Sequence, residues 1–363
     1  MDRRDFLRFT GIASTSIMYP MLAPPAHAQA ATADKWRTFE VTTQVEVLKP
    51  SGVTRVWIPT PLSLEAPFHR TLSNEFRAEG GRSAVVTEAK YGAGIVWAEW
   101  PEGAKPILTH TSRFALRNFA VDLSRPGNAK PEDPLILARY TQATDVMPTD
   151  GAVKTLSDDI VKGRQGNVEK SRAIYEWIVE NTYRDPKVIG CGTGDIRFML
   201  ESGNLGGKCA DLNALFVGLA RSAGIPARDV YGVRVADSAT WKSLGKSGDI
   251  SRAQHCRAEF YHPNFGWIPV DPADVRKVIL EEEKDQLLPL TDPRVALARK
   301  ALFGAWEMNW MAFNTANDTR LAPQTGRALG HFMYPYAEGA KGPLDYYSPQ
   351  DFKYQMTTRE VKA

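Results

Sequence analysis

Between Phe39 and Val47 the chain alternates strictly. Phe39, Val41, Thr43, Val45 and Val47 fall on one side, Glu40, Thr42, Gln44 and Glu46 on the other. A period of two sorts residues onto the two faces of a pleated strand, so this segment reads as a half-buried β-strand. Similar runs follow at residues 54–58, 84–89, 94–100 and 109–116. Turn clusters such as Glu79-Gly80-Gly81 and Pro101-Glu102-Gly103 separate them. This spacing predicts an antiparallel β-sandwich domain over residues 35–125. Pro126, Gly127, Pro131 and Pro134 then mark a linker over 126–150.

The period changes after the linker. Helices are predicted over 152–162 and 168–181, the second presenting Ile174, Trp177 and Ile178 as its core face. A third follows, in which Leu212, Leu215, Phe216 and Leu219 recur at i, i+3, i+4 and i+7. Gly224 and Pro226 stop it. Cys209 comes directly after Gly206, Gly207 and Lys208 and falls in the first turn of this helix. Unpaired N–H groups and the positive end of the helix dipole face the sulfur there. Such a setting lowers a thiol pKa and favours the reactive thiolate. The same N–H groups can receive an oxyanion.

A thiolate of this kind needs a base. His255 opens a strand-like run through Ala258, Phe260 and Tyr261, and residues 262–265 form a hairpin turn. A return strand over 266–271 ends at Pro272. Pairing of Tyr261 near Gly266 would bring Asp271 beside His255 on the neighbouring strand, at a cross-strand distance of about 4.5–5.5 Å. A carboxylate there fixes the imidazole while the other ring nitrogen faces the thiol. Glu259, on the same strand face as His255, is the rival for that role. Asn204 is a candidate oxyanion donor or else a turn residue. The glycine-rich stretch 190–203 can bring backbone close to a substrate.

The segments GKCADLNALFVGLARSAGIPAR, then His255 with Glu259 and Tyr261, then GWIPVDP resemble the Cys, His and Asp blocks of the transglutaminase-like superfamily. That superfamily shares its core with papain-like cysteine proteases. The likeness covers about residues 152–274 and extends, through GCGTGD and HFMYPYAE, to exported bacterial relatives. One departure is the sequence after the histidine, where His255-Cys256-Arg257 stands in place of a small residue and an aromatic. The resemblance implies an α+β fold with a catalytic core over 151–280 and a C-terminal extension, 281–363, packing on it. It implies a triad of Cys209, His255 and Asp271 that forms an acyl-enzyme with a peptide or protein substrate. Peptidase or amidase activity is the first expectation. Protein-glutamine acyl transfer and an inactive peptide-binding relative are the alternatives.

The first residues bear on location. Arg3-Arg4 with Phe6-Leu7, a short apolar stretch, and Ala26-His27-Ala28 resemble a twin-arginine export signal over residues 1–28. A periplasmic or secreted protein starting near Gln29, with no stable membrane insertion, is the expectation. Lys and Arg total 45 against 42 Asp and Glu, with no basic stripe to suggest nucleic acid. Three cysteines, Cys191, Cys209 and Cys256, make no disulfide framework, although Cys191 and Cys256 are a possible pair. Neither a C-x-x-C nor an H-E-x-x-H spacing is present, so no metal or cofactor is expected. Trp306, Trp310 and Phe313, with the aromatics of HFMYPYAE, read as core or as a peptide-binding wall. His69, His110, His262 and His331 read as surface or structural residues.

Overall fold

The alternation at the start of the chain is realised as strand Arg37–Val47, with Phe39, Val41, Thr43, Val45 and Val47 all buried. A computed structural model describes residues 35–362 except 126 and 324. The export-signal reading therefore lies outside the described residues. Residues 36–363 form one compact unit.

Two antiparallel sheets make the sandwich. The first runs Phe352–Val361, Arg37–Val47, Ile107–Leu116, His69–Ala78. The second runs Gly342–Leu344, Tyr336–Gly339, Thr54–Pro59, Gly94–Trp100, Arg82–Thr87. Val45, Val47, Leu108 and Phe352 from one sheet meet Val56, Ile58, Val96, Trp100 and Ala337 from the other in a shared core. The segment 281–363 is more than an extension on the catalytic core, to which it adds strand Trp310–Asn314. It returns to the sandwich and supplies strands to both sheets. Strand Phe352–Val361 pairs with Arg37–Val47 along ten registered positions, from Thr38 opposite Val361 to Val47 opposite Phe352. That pairing satisfies backbone groups that would otherwise form an exposed sheet edge.

A separate four-stranded antiparallel sheet, in the order Gly266–Val270, Gln254–His262, Ala227–Arg234, Trp310–Asn314, carries the rest of the core. Helix Cys209–Ser222 packs on it, backed by helices Gly151–Val161 and Gly166–Asn181. Thirteen of its fourteen residues are buried, so it is enclosed on all sides rather than on the one face its periodicity suggests. Gly224, at φ +78°, turns the chain out of it. Residues 272–281 form a helix, Pro272–Glu281, with Asp271 as its N-cap. The molecule is thus α+β with antiparallel sheets.

Candidate active site

Cys209 is the first residue of its helix, and Asp211, two residues on, builds the surroundings. One Asp211 oxygen accepts from the N–H of Lys208 at 2.9 Å. The other accepts from the N–H groups of Thr193 and Gly194, both at 3.0 Å. Gly192, at φ +90°, lies so close that a Cβ there would stand 1.8 Å from this carboxylate. The glycines of GCGTGD therefore let the loop close onto Asp211. The N–H of Ala210 donates to the carbonyl of Cys191 at 2.9 Å, which holds that cysteine beside the helix start. The three sulfurs meet. Cys191, Cys256 and His255 are the side chains that act on the Cys209 sulfur. All three cysteines are free and buried. Cys191 also donates to the carbonyl of Gln254 at 3.2 Å.

His255 lies on strand Gln254–His262. Its carbonyl accepts from the indole N–H of Trp310 at 2.9 Å, which ties the histidine strand to an aromatic of the core. Its Nε2 stands 2.7 Å from Oδ2 of Asp271, leaving Nδ1 for the thiol. Asp271 arrives by a different route from the one expected. Strand Gly266–Val270 pairs from His262 opposite Gly266 to Ala258 opposite Val270, and then ends. The chain turns at Asp271, which caps the next helix by accepting from the N–H of Asp274 at 3.0 Å. Asp271 thus serves as cap with one oxygen and holds the imidazole with the other. The side-chain amide of Asn213, one turn below Cys209, donates to Asp271 at 3.3 Å and to the carbonyl of Cys256 at 2.8 Å.

A second carboxylate shares the imidazole. Oδ2 of Asp274 lies 3.3 Å from His255 Nε2, while Oδ1 is bound by Arg234 at 2.6 Å. The Nε2 proton points to Asp271, so Oδ2 of Asp274 has no hydrogen bond and acts through charge alone. Sequence reasoning passed over Asp274, Arg234 and Asn213. The Asp-Pro-x-Asp pattern, with a cap, proline at the first turn and an acid at the third position, was the available signal.

These contacts set the charge states. Burial and Arg234 oppose a charge on His255, but Asp274 and Asp271 outweigh them and its pKa rises to about 9. The neighbouring Cys191 and Cys256 side chains, and then His255, hold the Cys209 thiol well below its usual value against the cost of burial. Burial and then Asp274 raise Asp271, whereas Arg234 and His255 overcome burial and hold Asp274 well below the carboxylate range. Both shifts favour a thiolate beside an imidazolium. His255, Asp271 and Asp274 also form a group whose ligand atoms converge within 4.8 Å, close enough for a metal ion. Arg234 at 2.6 Å and Arg257 at 3.8 Å from these carboxylates already supply positive charge there, which disfavours a cation.

The other sequence candidates fall elsewhere. Glu259 is bound by Arg228 at 2.6 Å and does not reach the imidazole. Asn204 accepts from the Tyr183 hydroxyl and the Gly206 N–H, the role of a turn residue. Trp306, Trp310 and Phe313 are core. His69 and His110 are buried in the sandwich, not on the surface. Tyr334, from HFMYPYAE, instead lines a cleft of about 740 Å³ that contains Cys209 and His255.

Residues 154–272, which include all three candidate catalytic residues, match the family described as "Transglutaminase-like superfamily". An uncharacterized protein of Haemophilus influenzae is 35% identical over 347 residues, 89% of this chain and 91% of its own length. The uncharacterized protein YebA of Bacillus subtilis is 31% identical over 144 residues, 37% of this chain and 19% of its own length. The crystal structure of a provisionally assigned cysteine protease from Cytophaga hutchinsonii superposes with a TM-score of 0.51 at 16% identity, covering 90% of this chain and 98% of that one. The fold, the matched core and the long alignment agree: the chain belongs to the transglutaminase-like superfamily.

Proposed function

We propose that this protein is a thiol enzyme that hydrolyses peptide or isopeptide amide bonds, with Cys209 as nucleophile, His255 as acid and base, and Asp271 as the group that holds His255. The observation that carries this reading is a single imidazole that acts on Cys209 and is hydrogen-bonded through Nε2 to Asp271. The Cys209 thiolate attacks the carbonyl carbon, and the electron pair of the C=O moves to oxygen. The N–H of Cys209, at the open start of its helix, is the donor expected for that oxyanion. When the C–N bond breaks, the His255 imidazolium gives its proton to the leaving nitrogen, and a thioester remains on Cys209. Neutral His255 then takes a proton from water as that water attacks the thioester. Carboxylate product leaves and the thiolate–imidazolium pair returns.

The N-terminal signal reading supports action outside the cytoplasm, with residues 1–28 removed. No helix among the described residues is long and apolar enough to cross a membrane. A peptidyl vinyl sulfone, which alkylates an attacking thiolate, tests the nucleophile. The expected result is a single adduct on Cys209 that is absent in His255→Ala. Release of free carboxylate without incorporation of an added amine separates hydrolysis from acyl transfer.

A further inference from the structure

The cleft at Cys209 is strongly one-signed. Seven Lys and Arg residues line it, against one carboxylate, Asp249. They converge from five separate parts of the chain: Arg184, Lys208, the 234–252 region, Lys277 and Lys353. The whole protein carries a formal charge of only +3, so this concentration does not follow from composition.

Three of the seven are already used. Arg184 binds Glu281 at 2.5 Å, Lys277 lies 3.5 Å from the same carboxylate, and Arg234 holds Asp274. The other four, Lys208, Lys246, Arg252 and Lys353, form no close ion pair among the described residues, although Lys246 and Arg252 act on Asp249, and the last three are exposed. Like charges crowded around a cleft repel one another and favour an anion between them. Lys277 is buried beside Arg234. Its pKa falls to about 8, through burial first and then through Arg234.

Tyrosines line the same cleft. Tyr334 and Tyr346 stack at 4.6 Å with an interplanar angle of 8°, and Tyr347 meets Tyr346 edge-on at 4.4 Å. This wall separates the cationic cleft from a second cleft of about 670 Å³. In the second cleft Arg327 is accompanied by Asp195 and Asp211, so the charge excess lies on one side only.

We infer that the substrate is an acidic peptide or peptide-like chain, whose carboxylates are held by Lys208, Lys246, Arg252 and Lys353 while its backbone lies along the tyrosine wall. This rests on the reading of Cys209 as the nucleophile. Carboxylates on the substrate would draw it to the site and select it over neutral and basic chains, an effect that salt screens.

The test uses Cys209 labelling, followed by mass spectrometry with Cys209→Ala as the blank. Neutral iodoacetamide reports the thiolate, and anionic iodoacetate reports the thiolate plus the field. The iodoacetate-to-iodoacetamide rate ratio, divided by that of free cysteine, is expected to be raised. It should fall about fivefold or more in the triple variant Lys246→Glu, Arg252→Glu, Lys353→Glu, the division by the iodoacetamide rate removing any change in the thiolate itself. Acetyl-hexaglutamate amide should slow iodoacetamide labelling of the wild type, and the hexaglutamine peptide should not. A ratio unchanged by the triple variant, or equal protection by the two peptides, overturns the acidic-substrate inference and leaves the nucleophile standing. Failure of iodoacetamide to label Cys209 faster than free cysteine at pH 6 overturns the nucleophile reading, and the inference falls with it.

Discussion

The Asp271 carboxylate stands 2.7 Å from Nε2 of His255, and it reaches that position as the cap of helix Pro272–Glu281. Orientation of the imidazole is therefore built into a helix start. Asparagine caps a helix about as well as aspartate. Asp271→Asn should keep the helix and a near-wild-type melting temperature. It removes the charge that supports the imidazolium, and kcat should fall by about 10²–10⁴ with little change in KM. Glu259→Gln is the contrast. It breaks a buried pair with Arg228 and should lower stability, yet leave kcat within a few-fold.

The second carboxylate sets the upper pH limit. His255, raised to about 9, must keep its proton to release the leaving amine, so kcat/KM should fall above about pH 9. Asp274 is the first of the groups that raise it. Asp274→Asn should move the alkaline limb of the pH profile to lower pH. An unmoved limb in a folded Asp274→Asn protein would show that Asp274 does not act on the imidazole. The same raised pKa stabilises the fold below about pH 6.5, and this contribution is lost as the pH rises through about 9.

Behind the cysteine helix, both carboxylate oxygens of Asp229 are buried without a hydrogen-bond partner, and burial raises this acid to about 7. The unfolded chain ionises near the ordinary value while the folded one resists, so stability falls as pH rises from about 4 to about 7. The effect amounts to at most about 4 kcal/mol. Asp229→Asn removes the charge and should raise the melting temperature at pH 8 but not at pH 4.5. Scanning calorimetry of the two proteins at both pH values checks this.

The loop that carries Cys191 depends on a glycine. Gly192→Ala would place a methyl against Asp211 at a backbone angle of φ +90°, which side chains rarely adopt. Asp211 would have to release Thr193 and Gly194. A loss of about 1–3 kcal/mol is expected, together with a lower kcat, because the loop and the Cys209 helix start are held by the same carboxylate. Denaturant melts and steady-state rates on the same preparation measure both.

Where chemistry left a local pattern, the sequence could be read. The alternation at 39–47 and the cysteine, histidine and GWIPVDP blocks each mark an element and its neighbours. Strand His69–Ala78 escaped because most of its side chains are at least partly exposed, so no apolar set alternates along it. The return of Phe352–Val361 to pair with Arg37–Val47 is a contact between chain ends, which no local periodicity records. Asp271 is legible in GWIPVDP as the carboxylate, but the helix it caps is not, because the return strand reads through Asp271 up to Pro272, where Asp-Pro in fact opens a helix. Asp274 and Arg234 come together only when that helix and strand Ala227–Arg234 pack. The grouping of three cysteines was hidden for the same reason.

The most direct test of the thiolate–imidazolium pair is the pH dependence of Cys209 alkylation by iodoacetamide, from pH 4 to 10, in wild type and in His255→Ala. In the wild type, the side chains around Cys209 and the charge on His255 should keep the sulfur ionised and reactive at pH 6. In His255→Ala the midpoint should move upward. Equal titrations of both proteins near the free-thiol value of about 8.5 would contradict the pair, and with it the catalytic role of this site.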